Sequence, residues 1–183
     1  MKLRRWGVLI GVALLVIALD QLTKALVVAN LGLYEQWAPI EALRPYFTFT
    51  YVQNTGAAFG LFQGGRVVFL LVGVVVIGII LVFYRQLPEG ATLMRVALGM
   101  QLGGVLGNQI DRVRLGYVVD FFDFKFWPVF NVADSALVVG VISLLVLMWW
   151  YERTEARQQP TESASGETPA AAGEDETSPL RPG

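Results

Sequence analysis

Aspartate is the residue type best suited to chemistry in this chain of 183 residues, which contains neither histidine nor cysteine. Their absence excludes Ser-His-Asp triads, thiolate nucleophiles and zinc sites built on histidine or cysteine. Two carboxylates held together in a low-dielectric site share one proton, so one acts as a base toward water and the other as an acid toward a carbonyl oxygen. Asp120 and Asp134 both lie beside apolar residues. On spacing alone, three other acids compete with them: Asp20, Asp111 and Asp123.

Two other chemistries compete with a carboxylate pair, which is the chemistry of aspartic proteases. A Ser-Lys protease would use Ser135 and Lys24. However, Lys24 follows Asp20 by four residues, and a carboxylate at that helical spacing keeps the amine charged rather than basic. An ion or proton channel would instead form a polar pathway from three acids, Asp20, Asp111 and Asp134. A channel needs polar groups at several depths, and residues 67–84 offer no polar relay.

Membrane helices are the elements that must position these residues. The chain is 55% apolar with a mean hydropathy of +0.54, which is too high for a water-soluble globular domain. Four segments approach the ~20 residues that a helix needs to cross a bilayer. We therefore predict an all-α membrane domain over residues 1–151, with transmembrane helices at about 6–28, 67–85, 94–112 and 131–151. Residues 152–183 carry 7 acidic and 3 basic side chains and predict a disordered acidic cytoplasmic tail.

Basic residues at the amino terminus predict the orientation of the chain. Lys2, Arg4 and Arg5 precede the first helix, and such a cluster favours the cytoplasmic side. Four spans then place both termini in the cytoplasm. The loops 29–66 and 113–130 are expected on the exported side.

The polar residues within the predicted spans lie at one depth. At ~1.5 Å per helical residue, Asp20 lies ~21 Å, Asn108 ~18 Å, Asp111 ~22 Å and Asp134 ~25 Å from the cytoplasmic edge. Asp120 enters from the loop at the same level. A single such residue is best explained as an interfacial cap or a snorkelling side chain. Four positions from three helices, beside an acid in a loop, instead predict a shared polar site in the outer third of the bilayer.

Four local patterns predict how the spans are connected and packed. Residues 47–52 contain the aromatic and β-branched residues typical of a strand, and the small residues 54–58 predict a tight turn. The GxxxGxxxG row from Gly99 to Gly107 predicts close helix packing. The aromatic residues 149–151 predict an interfacial belt.

Five sequence blocks resemble, in order, the motifs of the lipoprotein signal peptidases (signal peptidase II), a family of integral-membrane aspartic proteases. The blocks are Asp20–Lys24 (DQLTK), Asn54–Phe59 (NTGAAF), Gly103–Arg112 (GGVLGNQIDR), Val118–Phe121 (VVDF) and Phe130–Ser135 (FNVADS). From the first block to the last they span residues 20–135, nearly the whole membrane domain, without a departure from the motifs. The chain after Tyr151 lies outside the resemblance.

The resemblance implies roles for individual residues. It implies that Asp120 and Asp134 form the catalytic dyad. It further implies a set of substrate-binding or supporting positions: Asn108, Arg112, Asn131, Asp20, Lys24, Asn54 and Gly56.

The resemblance also implies a fold, a substrate class and a location. The implied fold is a four-transmembrane-helix bundle with a small exported β-cradle, in the inner membrane of a bacterial cell, with the active site near the outer face. The implied substrates are lipid-modified prolipoproteins, which are cut on the amino side of the lipidated cysteine. Membrane phospholipid is an expected partner, whereas no cofactor, metal ion or nucleic acid is expected.

Overall fold

The computed structural model describes residues 2–56 and 65–158, so the predicted turn at 54–58 and the predicted tail lie partly outside the described residues. In chain order the elements are α1 (Lys2–Asn30), β1 (Gln36–Trp37), a 3₁₀ turn (Glu41–Leu43), β2 (Phe47–Asn54), α2 (Arg66–Gln86), α3 (Thr92–Arg114), β3 (Val118–Phe124) and α4 (Val132–Gln158). The architecture is mostly helical, with a small sheet.

Three of the described helices are long and apolar enough to cross a membrane: Trp6–Asn30, Arg66–Gln86 and Val132–Thr154. Helix α3, predicted as a span at 94–112, is not among them. Polar and charged residues such as Arg95, Gln101 and Asp111 account for this difference. These three side chains are buried within the protein, as is more than half of α3, so they face other parts of the chain rather than lipid.

Small residues allow α3 to approach α1 and α4 closely. A Cβ atom added at Gly103 would lie 2.8 Å from the carbonyl oxygen of Ala13, and one added at Gly99 would lie 3.0 Å from that of Leu9. A Cβ added at Gly104 would collide with the carbonyl oxygen of Ala133. The close packing predicted from the glycine row is therefore confirmed, and it brings the polar residues of α1 and α3 together.

The packed helices have an apolar interior and an apolar exterior. The interior cluster consists of Leu9, Ala13, Ile80, Tyr84, Leu98, Leu102 and Val105. On the outside, Leu14 of α1, Val74 of α2 and Leu145 of α4 each expose about 60% of their surface. Exposed aliphatic side chains on three helices are costly in water and suit contact with lipid. This arrangement fits a multi-pass membrane protein.

The sheet is antiparallel, in the order β1-β2-β3. The predicted strand at 47–52 is confirmed as part of β2, which continues to Asn54. The register between β2 and β3 shifts between Phe49 and Val52, and this irregularity places Val52 opposite Asp120. The strands lie in the α1–α2 and α3–α4 connections, so the sheet places Asp120 near the start of α4.

Helix α4 continues to Gln158, past the end predicted at residue 151. Glutamate, arginine, alanine and glutamine have high helix propensity, which explains the extension. The first seven residues of the predicted tail, 152–158, are therefore helical. Residues 159–183 lie outside the described residues.

Candidate active site

Asp120 lies on β3 with only 1% of its surface exposed. Its Oδ2 accepts a hydrogen bond from Asn54 Nδ2 (2.9 Å), and its Oδ1 accepts one from Asn131 Nδ2 (2.6 Å). Burial, followed by the charge of Asp134, raises the pKa of Asp120 to about 7, although the bonds from Asn54 and Asn131 oppose the increase. Asp120 can therefore hold a proton near neutral pH.

Asp134 lies in the first turn of α4, where a reciprocal cap holds it. The backbone N–H of Asp134 donates to Asn131 Oδ1 (3.0 Å), and the backbone N–H of Asn131 donates to Asp134 Oδ2 (3.2 Å). This is a capping box, in which an amide and a carboxylate satisfy two free N–H groups of the helix start. Asn108 Nδ2 donates to the second oxygen, Asp134 Oδ1 (2.7 Å). The carboxylate is thus oriented by two hydrogen bonds, one to each of its oxygens.

Asn131 is the residue that joins the two carboxylates. It is fully buried, and its Nδ2 donates to Asp120 and also to Asn108 Oδ1 (3.1 Å). Its Oδ1 accepts from Asp134, as described above. One amide side chain therefore fixes the strand residue and the helix residue relative to each other.

A buried lysine, Lys24, is linked to this pair through Asn108. Lys24 Nζ lies 2.8 Å from an oxygen of Asp20 and 2.8 Å from an oxygen of Asp111, and it donates to Asn108 Oδ1 (2.9 Å). All three charged side chains are less than 5% exposed. The predicted i,i+4 pair of Asp20 and Lys24 is present in the structure.

Three other predicted positions lie near the Asp120–Asp134 pair: Asn54 and Gly56, at and just after the end of β2, and Arg112 on α3. Gly56 N–H donates to Asn54 Oδ1 (3.0 Å), which turns the Asn54 NH₂ group toward Asp120. The Arg112 guanidinium stacks over the ring of Phe69 at 5.1 Å. Arg112 is partly buried, and its charge interacts with both Asp134 and Asp120.

Asp123, one of the three competing acids, is bonded to other side chains of the sheet region. Asp123, opposite Thr48 on β2, accepts hydrogen bonds from Lys125 (2.6 Å) and Thr50 (2.7 Å). Burial alone would raise its pKa, but the hydrogen bonds and charge of Lys125, with the threonine hydroxyls, lower the pKa overall. Asp123 therefore stays ionised and belongs to a separate cluster.

The geometry does not favour a Ser-Lys pair. Ser135 Oγ donates to the carbonyl of Asn131 (2.9 Å), whereas the Lys24 ammonium lies among Asp20, Asp111 and Asn108. The contacts of Lys24 are therefore with two carboxylates and an amide rather than with the hydroxyl of Ser135.

Two residues of this network were not predicted as site residues. Asp111 is the second carboxylate on Lys24, and Gln21 Nε2 donates to Asp111 Oδ1 (2.9 Å). The sequence contained a signal for Asp111, because its predicted depth of ~22 Å differs from the ~21 Å of Asp20 by less than the rise of one helical residue. For Gln21 there was no such signal, since an uncharged amide next to an acid is ordinary at a helix surface.

A cavity of about 730 Å³ lies between the end of α1 and the sheet. Its walls include Leu26, Val27, Phe49 and Phe121. The two polar side chains in the lining, Thr23 and Asn30, donate to backbone carbonyls of their own helix. The cavity therefore presents a mostly apolar surface.

Apolar helices around two acids joined by one amide define a multi-pass membrane protein with a carboxylate site. The family model described as "Signal peptidase (SPase) II" matches residues 12–150. The lipoprotein signal peptidase of Halothermothrix orenii is 44% identical over 142 residues, which cover 78% of this chain and 95% of that protein. That of Moorella thermoacetica is 49% identical over 137 residues, covering 75% and 87%.

Solved structures agree with these relatives. A bacterial membrane enzyme solved by the in meso method at 2.3 Å resolution matches with a TM-score of 0.74 and 29% identity, covering 85% of this chain and 94% of that chain. A second such enzyme, at 1.9 Å resolution, has a TM-score of 0.69 and 32% identity, covering 78% and 92%. The chain belongs to the signal peptidase II family and is a membrane peptidase.

Proposed function

We propose that this chain is an aspartic endopeptidase that removes signal peptides from diacylglyceryl-modified prolipoproteins, cutting on the amino side of the lipidated cysteine. The observation that carries the proposal is the joining of Asp120 and Asp134 through Asn131 in a chain without histidine or cysteine. The name lipoprotein signal peptidase, shared by the relatives, supports the substrate class.

The proposed mechanism uses one proton shared by the pair. The ionised carboxylate removes a proton from water, and the water oxygen attacks the carbonyl carbon of the scissile bond. The protonated carboxyl gives its proton to the carbonyl oxygen, which forms a neutral tetrahedral intermediate. As the C–N bond breaks, the leaving nitrogen takes a proton from the carboxyl that gained one. A hydroxyl of the intermediate gives its proton to the other carboxylate as the product carbonyl forms, so the pair again holds one proton. The pKa of about 7 for Asp120 supports proton sharing near neutral pH.

The remaining predicted residues are proposed to support this pair. Asn108, Asn131 and Asn54 orient the carboxylates through the hydrogen bonds described above. Arg112, partly exposed beside the pair, is proposed to bind the substrate backbone. Gly56 orients Asn54 through a backbone hydrogen bond, and Lys24, paired with Asp20, donates a hydrogen bond that orients Asn108.

In the proposed membrane arrangement α3 is the fourth span. Its 23 residues measure ~34 Å, which is enough to cross the hydrocarbon core. The sheet then forms a β-cradle on the exported side of a bacterial inner membrane. There, membrane phospholipid surrounds the helices, and the apolar cavity beside α1 suits an acyl chain of the substrate. The proposed chemistry involves no metal or cofactor, and no nucleic acid partner is proposed.

Cleavage by the purified protein tests the proposed function. We expect cleavage of a diacylglyceryl-modified prolipoprotein with a kcat/KM at least about tenfold above that of the unmodified precursor, because acyl chains anchor the substrate and add binding energy remote from the scissile bond. The cleavage position is measured by mass spectrometry of the products. The same preparation of the Asp120→Asn variant controls for contaminating peptidases. Equal cleavage of both precursors would contradict the proposed substrate class.

The proposed orientation is testable because the native chain contains no cysteine. Tyr34, which follows α1, is 65% exposed, and Gly90, between α2 and α3, has room for a Cβ atom. We expect an impermeant thiol reagent to label Tyr34→Cys in intact cells. Gly90→Cys should be labelled only after the cytoplasmic face is opened. The reverse pattern would show that the termini are on the exported side.

A further inference from the structure

The two carboxylates that bind Lys24 also contact the backbone next to each active-site acid. Asp20 Oδ1 accepts a hydrogen bond from the backbone N–H of Ala133 (3.0 Å), the residue before Asp134. Asp111 Oδ2 accepts one from the backbone N–H of Val119 (3.1 Å), the residue before Asp120. The same contact therefore occurs twice, from α1 to α4 and from α3 to β3.

We propose that Asp20 and Asp111 are a matched pair of positioning residues, joined through Lys24, that set the separation of Asp134 and Asp120. This inference rests on the proposed function, because it concerns the geometry of the same carboxylate pair. Asp20, Asp111 and Lys24 touch no reacting group in this arrangement. They act through the backbone of Ala133 and Val119.

The chemistry of the cluster suits this role. Ala133 lies in the first turn of α4, where N–H groups lack helical partners and favour an anion. Val119 and Ala133 are both at most 1% exposed, so neither N–H group has water as a substitute for the carboxylate. The ammonium of Lys24, bound to both carboxylates, makes the two contacts one unit.

Catalysis by two carboxylates depends on their separation. A displacement of about 1 Å at a reacting group costs about a hundredfold in rate. Residues 125–131 connect β3 to α4, and backbone hydrogen bonds between Phe130 and β3 tie the end of this loop to the strand. Gln21 also links the two positioning residues, because its Nε2 donates to both Asp20 and Asp111. The positioning residues therefore add a constraint to those that Asn131 and the backbone of Phe130 supply.

The test uses the full-length protein with lipidated precursor as substrate. Asp111→Ala removes the acceptor for Val119, and we expect kcat to fall at least about tenfold while KM stays within about twofold. Asp111→Asn keeps one acceptor oxygen, and we expect it to recover most of that loss. Asp123→Ala is the matched control, because Asp123 lies on β3 and binds Lys125 without contacting either backbone. A kcat for folded Asp111→Ala within about twofold of the parent would overturn the proposal.

Amide hydrogen exchange supplies a measurement that does not depend on activity or on the alanine variant. In Asp111→Asn, the weaker neutral acceptor should accelerate exchange at Val119 by at least about threefold at an unchanged melting temperature. Unchanged exchange at Val119 would overturn the positioning role even if the enzyme is active. Failure of the parent protein to cleave lipidated precursor would instead contradict the proposed function, and the exchange result would still decide whether Asp111 holds β3.

Discussion

Replacement of Asp120 or Asp134 by asparagine is expected to reduce turnover to near background while the protein remains folded. Asparagine keeps the size of the side chain and can still bond to Asn131 or Asn108, but it removes the proton that the pair shares. General acid-base groups contribute about 10²–10⁴ in rate, so either variant should lose at least about a hundredfold in kcat. The measurement is cleavage of lipidated precursor by purified protein, with the melting temperature recorded for each variant.

Asp123→Asn is the control for this prediction. Asp123 lies on the same strand as Asp120, but it bonds to Lys125 and Thr50 rather than to Asn131. Its pKa is lowered, so it holds no proton for catalysis at neutral pH. We expect this variant to retain most of the parent activity. Folded Asp120→Asn or Asp134→Asn protein with more than about a tenth of the parent rate would show that the proposed dyad is wrong.

Hydrophobicity and spacing predicted the helices because a helix that crosses a bilayer needs about 20 mostly apolar residues. The predicted segments 67–85 and 131–151 correspond to α2 and most of α4. The depth of the polar residues correctly grouped Asp20, Asn108 and Asp111, because helical rise converts residue number directly into distance. What spacing could not predict was which carboxylate meets which partner, because rotation of each helix depends on packing.

The contact between β3 and α4 was beyond prediction from local patterns. It depends on the irregular register near Val52 and on a capping box at the start of α4. Composition left five aspartates in competition, and only the family resemblance singled out Asp120 and Asp134. The geometry separates Asp123 from this pair because Asp123 bonds to Thr48, Thr50 and Lys125 rather than to Asn131.

Asn131→Ser and Asn131→Ala are expected to separate the two functions of Asn131. Serine is a good helix cap, so Asn131→Ser should retain the cap of α4, whereas Asn131→Ala should lose about 1 kcal/mol of stability. Both variants lack the NH₂ group that donates to Asp120. A hydrogen bond to a charged group is worth about 1.5–3 kcal/mol, so turnover should fall about ten- to hundredfold in both. If Asn131→Ser kept both the stability and the activity of the parent while Asn131→Ala lost both, the role of Asn131 would be limited to capping α4.

The pH dependence of the same variants tests the contact with Asp120 directly. Two coupled carboxylates give a bell-shaped profile whose constants belong to the pair, and the alkaline limb reports loss of the shared proton. The pKa of Asp120 is about 7 because burial raises it, and the hydrogen bond from Asn131, which stabilises the ionised form, lowers it. Without that bond the pKa of Asp120 must rise further, so the alkaline limb of the kcat profile should move to higher pH in Asn131→Ser. A limb that stays in place, or moves to lower pH, would mean that the Asn131 amide does not act on the proton of the pair.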